Sequence, residues 1–474
     1  MTRLLVHSLG VASASALLAV LAGWVVGVAA LGTSRRWIAI WTGTGIAVLM
    51  LPQFIVASAW LEGSTRWRIG PNGSIGPSSF VAATFALASL LWPIPAGMVF
   101  ASWRRLSPSL IDAEPRMRGW TVVKTLLWGA GRTPTAGAAF ICFALALANF
   151  TIPVLFQIPV FSERIWLAFN VRLDAVEALQ NALPCLVVVL AFLWVAHARG
   201  WREPAWPAAV MDEGLDELRS RVGLWGGMAV AVAFGILAIS LLWPLYTWLG
   251  AERTWVEIAP AWAAGQAAVW RSLGNAATTA TLAVATAAWL VSRKKVRHER
   301  LGLLGPGLWV PFLLPGVVLG IAVNHFTSRW AGDSEWPVVV SLFLRYFGFA
   351  FAGMAAVVRS LDTDQLHALR LVSGSWWPTW RAVLWPQAGP RILAVWYIVY
   401  LLALWDVETG IVVAPPGGET LAMRIFNLLH YGHASQVKAL CVILTGLGLL
   451  PGAIIQLVSL TTGQRLRHTT GHSS

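Results

Sequence analysis

Apolar and polar positions are distributed along this chain in long blocks, not in residue-by-residue alternation. Eleven apolar runs stand at 8–32, 37–60, 79–101, 134–157, 178–198, 225–249, 272–292, 302–323, 337–358, 391–413 and 437–460. Each is around 20 residues or longer, enough for a helix to cross a hydrocarbon core of about 30 Å. Backbone groups in lipid must be paired within their own segment, so long helices are the expected solution. The pattern predicts an all-α polytopic membrane protein with about 11 transmembrane helices.

The blocks repeat. Ser8-Leu9-Gly10 opens one apolar run and Ser272-Leu273-Gly274 opens another. Leu51-Pro52 is answered by Leu314-Pro315, and Ala96-Gly97-Met98 by Ala352-Gly353-Met354. Phe169-Asn170 then matches Phe426-Asn427, and Ala182-Leu183 matches Ala439-Leu440. The order is shared and the offset stays between 255 and 264 residues. The matched runs at 8–32 and 272–292 are six helices apart, so both copies have one membrane orientation. Parallel repeats of this kind are a feature of transport proteins. The expected organisation is a first unit of five spans over 1–198 and a polar linker at 199–224. A second unit of six spans follows over 225–460, with a tail at 461–474.

Composition agrees with lipid as the solvent. Charged residues are 12% of the chain and mean hydropathy is +0.67, against about 25% charged residues in soluble domains. The net charge of +13 would suit nucleic acid, but the placement of the charges argues against it. With Arg35-Arg36 inside and alternation through eleven helices, 23 of the 34 Lys and Arg residues fall on the cytoplasmic side. That asymmetry predicts a cytoplasmic-membrane protein with its N-terminus outside and its C-terminus inside. The first run is too long for a signal-peptide core and is read as a mature helix. Tryptophans near span ends (Trp37, Trp60, Trp92, Trp103, Trp243, Trp248, Trp330) are expected to anchor at the interfaces. Cys142, Cys185 and Cys441 fall inside apolar runs and read as packing residues.

Each copy carries one polar segment, 102–133 and 359–390, between long runs. In the second, Leu366, Leu369 and Val372 recur at helical spacing, Ser373-Gly374-Ser375 breaks the helix, and a second short helix leads to Pro386. A helix–glycine–helix element can lie along the membrane as a lever. It resembles the cytoplasmic signature of ATP-binding-cassette importer permeases: Glu-Ala-Ala, three variable residues, Gly, nine more, then Ile-x-Leu-Pro. His367, Ala368 and Leu369 stand at the Glu-Ala-Ala places, Ser373 at the Gly place with Gly374 one residue late, and Pro386 at the final Pro. In the first copy Asp112, Ala113 and Glu114 take the opening places. Arg118 takes the Gly place, with Gly119 again one residue late, while Ala130 and Gly131 replace Leu-Pro. The stretch from Leu401 to Phe426 is similar to the fused permeases of ferric-iron importers. Thiamine, polyamine and phosphonate permeases share much of the pattern. The resemblance implies a permease that receives solute from an extracytoplasmic binding protein. It also implies two copies of a cytoplasmic ATPase docked on the two loops, with ATP and Mg on that partner and no cofactor on this chain.

The residues themselves agree with a divided machine. No Gly-x-x-x-x-Gly-Lys-Ser/Thr loop is present to cradle phosphates, so energy must come from another subunit or an ion gradient. No nucleophile–base arrangement and no metal-ligand spacing stands out. Asn149 and Asp406 are repeat equivalents, with Glu408 close by. Polar residues in spans tend to face a cavity, so these three are candidates for lining the pathway. The competing expectation is that they bond neighbouring helices near an interface. A secondary transporter driven by an ion gradient is the alternative function, and a membrane-embedded enzyme a weaker one.

Overall fold

The computed structural model describes residues 2–66, 79–104, 106, 117–172, 175–198, 213–292, 304–331, 333–359, 385–431 and 433–470. Among these residues every regular element is helical. Two compact units are formed. One holds Met1–Val189, Ala209–Ala259 and Ile425–Cys441; the other holds Leu190–Ala208, Pro260–Arg424 and Val442–Ser474.

The first unit is organised around helix Thr2–Gly32. Ser79–Leu91, Pro93–Trp103, Arg132–Ala148 and Leu224–Leu237 all pack along it. The run 225–249, expected to begin the second permease unit, therefore lies in the first compact unit. Small residues make its approach close: a Cβ on Gly32 would stand 2.7 Å from the Cα of Gly226. Glycine at both positions lets the two backbones touch.

Among the described residues, six helices are long and apolar enough to span a membrane, or up to nine when each bent pair counts as one. The eleven apolar runs take several forms among these residues, for local reasons. The run 37–60 breaks into Arg35–Met50 and Gln53–Ser64, bent by 86°, and the run 302–323 breaks into Gly305–Leu313 and Gly316–Thr327, bent by 100°. Both breaks fall at the paired Leu-Pro. Proline restricts the residue before it to extended backbone. Leu51 (φ −67, ψ 128) and Leu314 (φ −71, ψ 146) both obey. The run 391–413 begins within helix Trp385–Leu404, and the chain turns at Asp406. The run 272–292 lies within helix Ile258–Ser292, where Asn275, Thr278, Thr279 and Thr281 dilute its apolar character.

The repeated serines show why they recur. Ser8 and Ser272 are both buried. Ser8 Oγ accepts the Phe161 amide at 3.0 Å, and Ser272 Oγ accepts the Leu421 amide at 2.7 Å. Phe161 and Leu421 are the first residues of two helices of 10 residues each, Phe161–Asn170 and Leu421–His430. Each serine thus satisfies one of the orphan amides at a helix start.

The tryptophans divide. Trp37 is 42% exposed, as expected of an anchor, but Trp92 and Trp103 are each 1% exposed. Their indoles donate inward, Trp92 Nε1 to Ser240 Oγ at 3.2 Å and Trp103 Nε1 to the Leu126 carbonyl at 3.0 Å. Trp248 is also buried and donates to the Lys438 carbonyl at 2.8 Å. These three are core residues, because a partner for each N–H exists inside the unit. Trp330's side chain lies outside the described residues. The three cysteines are buried and free.

Candidate functional site

The most concentrated chemistry lies in the second unit, where helix Trp336–Arg359, the second arm Gly316–Ala331 and the turn 405–413 meet. Helix Trp385–Leu404 stops at Trp405, and Asp406 begins a new start. Asp406 Oδ1 accepts the Thr409 amide at 2.8 Å, which closes the turn leading into the short helix Gly410–Val413. Asp406 Oδ2 accepts the Tyr346 hydroxyl at 2.7 Å and the Thr409 hydroxyl at 3.0 Å. Arg345 reaches across from the middle of its own apolar helix. Its Nη2 donates to Glu408 Oε2 at 2.9 Å and its Nη1 to Thr409 Oγ1 at 2.9 Å, while Nε lies 3.4 Å from Asp406 Oδ2 without hydrogen-bond geometry. The side chains of Arg345, Asp406 and Glu408 are 8%, 2% and 7% exposed. Charges so far from water persist only when paired and hydrogen-bonded.

Gly316 makes room for the guanidinium. A Cβ there would fall on Arg345 Nη1 and 2.7 Å from Glu408 Cβ. Gly320, one turn on, is also tight, with the Thr409 carbonyl at 2.9 Å.

The first unit carries the neutral counterpart. Gln53 follows Pro52 as Gly316 follows Pro315. Asn149 Nδ2 donates to Gln53 Oε1 at 3.0 Å, and Gln53 Nε2 donates to Thr151 Oγ1 at 3.2 Å. Asn149 Oδ1 accepts the Ile152 amide at 2.9 Å, the same three-residue side-chain turn that Asp406 makes. Asn149 and Asp406 therefore do one backbone task in both copies. Around them the partners differ: Gln53, Asn149 and Thr151 in one, Arg345, Asp406, Glu408 and Thr409 in the other. At the offset of Ala96 and Ala352, Ser89 stands where the second copy has Arg345.

Sequence reasoning names Asn149, Asp406 and Glu408, and the structure adds their partners. Arg345, by charge placement one more cation of the outer side, is instead the centre of the cluster. Two signals point to it: an arginine in the middle of the apolar run 337–358, and glycine at 316 where the first copy has glutamine.

Of the expected ATPase-facing residues, Asp112, Ala113, Glu114, His367, Ala368, Leu369, Ser373 and Gly374 lie outside the described residues. Pro386 sits in the first turn of Trp385–Leu404. Arg118 is exposed, and Gly119 (φ 61, ψ −131) starts helix Trp120–Thr125. That backbone conformation suits glycine and strains any side chain. Gly119 donates its amide to the Arg221 carbonyl at 2.7 Å. Arg221 belongs to helix Glu213–Val222, in what the sequence offers only as a polar linker. Leu215, Leu218 and Val222 bury one face of that helix. Arg219 Nε donates to the Thr33 carbonyl at 2.7 Å, just past the end of Thr2–Gly32. Gly223 (φ 55, ψ −130) repeats the conformation of Gly119, and Trp120 meets Trp225 at 5.0 Å between ring centroids.

The class defined by these features is a polytopic helical membrane protein. The repeated sequence landmarks coincide with proline-broken helices, serine-pinned helix starts and three-residue side-chain turns. No family model matches the chain. Similar curated proteins are transport permeases. Over 153 residues it is 24% identical to the spermidine/putrescine transport system permease protein PotC of Escherichia coli, covering 32% of this chain and 58% of that protein. Over 160 residues it is 21% identical to a protein of Salmonella paratyphi A provisionally named as the 2-aminoethylphosphonate transport system permease PhnV, covering 33% and 60%. The chain thus spans less than two thirds of the length of these relatives. Neither is named for iron.

Proposed function

We propose that this chain is the permease subunit of an ATP-driven, binding-protein-dependent importer, with both permease units in one polypeptide. The carrying observation is the likeness to two transport-system permeases, which falls on a chain whose own two copies share the same three-residue side-chain turn. In this reading the protein lies in the cytoplasmic membrane with its N-terminus outside. Two ATPase subunits, which hold ATP and Mg, dock on the segments around Asp112–Gly119 and His367–Pro386. Asn149, Asp406 and Glu408 border the pathway as fixed posts, because their oxygens are already committed to these turns and to Arg345. Alternating access then moves the helices that carry these turns as bodies, biased by contacts that differ between two states.

Ferric iron is the nearest likeness in the sequence alone, but the relatives favour an organic solute. Spermidine, putrescine and 2-aminoethylphosphonate all carry a primary amine, so an amine-bearing small solute is the proposed class.

The test is reconstitution in lipid nanodiscs with an ATPase and a binding protein encoded beside this chain. ATP hydrolysis is measured with no solute, with putrescine, with 2-aminoethylphosphonate and with ferric citrate. The expected result is no hydrolysis by the chain alone and stimulation of the complex by an amine-bearing solute. Solute uptake into vesicles driven by a proton or sodium gradient, without the ATPase, would instead establish a secondary transporter.

A further inference from the structure

The linker helix Glu213–Val222 packs on three helices of the first unit, Thr2–Gly32, Trp120–Thr125 and Leu224–Leu237. Leu215, Leu218 and Val222 fall at three- and four-residue spacing on one face and are 2%, 4% and 0% exposed. They share one apolar core with Leu31, near the end of the first of these helices, and with Val122 and Val123 of the second. Removal of these side chains from water holds the helix in place.

Polar contacts then fix its last turn at two points. Arg219 Nε donates to the Thr33 carbonyl at 2.7 Å, just past the end of Thr2–Gly32, where a cation also suits the helix dipole. Gly119 donates its amide to the Arg221 carbonyl at 2.7 Å. Arg221 lies in the last turn of the linker helix and Gly119 directly precedes Trp120–Thr125. The end of one helix thus supplies the acceptor that the start of the next lacks. Trp120 and Trp225 close the junction, their ring centroids 5.0 Å apart. Neither arginine is left to swing. Arg219 Nη1 also donates to Asp216 at 2.7 Å, and Arg221 Nε to Glu217 at 2.8 Å. A short bonded path therefore runs from residue 119 to residue 33.

We propose, on the reading that gives the segment 102–133 to an ATPase, that the linker helix is a strut of the transport cycle. It passes displacement of that segment at Gly119 to helix Thr2–Gly32, and Arg219 is its positioning residue. Coupling is carried by packed, rigid elements in physical contact. This copy has particular use for one, since its segment ends in Ala130-Gly131 where the importer signature has Leu-Pro, and the chain bends by 67° between Trp120–Ala130 and Arg132–Ala148.

The complete complex with its ATPase and binding protein is reconstituted in liposomes and scored for solute taken up per ATP hydrolysed, with putrescine and 2-aminoethylphosphonate as probes. Arg219→Met keeps the apolar stem and removes the donors. It should lower uptake per ATP roughly tenfold, at the usual worth of one hydrogen bond from a charged group. Arg219→Lys restores a charged donor and should recover most of the loss. A purely structural role would lower abundance and melting temperature but leave the ratio intact. Spin labels at Thr121→Cys and Ser220→Cys, both exposed positions, report the junction without breaking it, which covers the case in which Arg219→Met fails to fold. The native cysteines Cys142, Cys185 and Cys441 are buried. One unchanged label distance is expected in the nucleotide-free and nucleotide-trapped complexes. Unaltered uptake per ATP in Arg219→Met, no recovery in Arg219→Lys, or a label distance that differs between the two states would overturn the strut alone. Absence of solute-stimulated hydrolysis in the unaltered complex would instead remove the transport reading, and the strut with it.

Discussion

Replacing Arg345 with methionine is the sharpest perturbation of the second unit. The guanidinium makes hydrogen bonds to Glu408 and Thr409 at 2.9 Å each and lies 3.4 Å from Asp406, and all three charged side chains are less than a tenth exposed. Methionine keeps much of the volume but leaves two carboxylates buried without their cation. Breaking a buried pair by removing one partner costs about 3–5 kcal/mol, most of it the penalty of the charge left behind. An ordinary buried hydrogen bond is worth only about 0.5–1.5 kcal/mol. The two accounts separate when the carboxylates are neutralised as well. Arg345→Met/Asp406→Asn/Glu408→Gln removes every charge. The amide oxygen that replaces the Asp406 carboxylate can still accept the Thr409 N–H, as Asn149 does for Ile152 in the first unit. The triple variant should therefore recover most of the lost stability, leaving a deficit of about 1–2 kcal/mol from the missing hydrogen bonds. The assay is thermal unfolding of the purified protein followed by intrinsic fluorescence, with membrane abundance measured in parallel. A single variant as stable as the triple one would refute the reasoning, since the uncompensated charge would then carry no cost.

Gly32→Ala should destabilise measurably, because its Cβ would stand 2.7 Å from the Gly226 backbone, whereas Gly235→Ala, with nothing within 4 Å, should be neutral or gain up to about 1 kcal/mol; thermal unfolding of the two variants compares them. Ser8→Ala and Ser272→Ala should each cost about 1 kcal/mol, by loss of the acceptor for a buried helix-start amide, and unequal losses in the same melt would mean that the two pins are not equivalent. Gly119→Ala should cost about 1–3 kcal/mol at φ 61, seen as lower membrane abundance. Trp103→Phe should cost about 1 kcal/mol through the bond to the Leu126 carbonyl, while Trp37→Phe, largely exposed, should change the melting temperature little.

The all-helical architecture was legible in the sequence, because lipid allows few other solutions for apolar runs of this length. So were the duplicated landmarks. Pro52 and Pro315 break their helices by the same local rule at the residue before proline, which needs no knowledge of neighbours. Asn149 and Asp406 could be matched by offset alone, since a side-chain turn to the third residue on is local.

What tertiary structure decided is everything that depends on a partner distant in the chain. Arg345 looks like one more cation of the outer side until Glu408 and Thr409, more than 60 residues on, are found beside it. Trp92 and Trp103 share their composition and placement with interfacial anchors, and only Ser240 and the Leu126 carbonyl make them core residues. The linker helix Glu213–Val222 is masked by its polarity. Its three apolar residues, Leu215, Leu218 and Val222, acquire meaning from the surface they cover. Hydropathy and turn chemistry act over a few residues, and burial of a charge or an indole is settled only by the group that arrives to satisfy it.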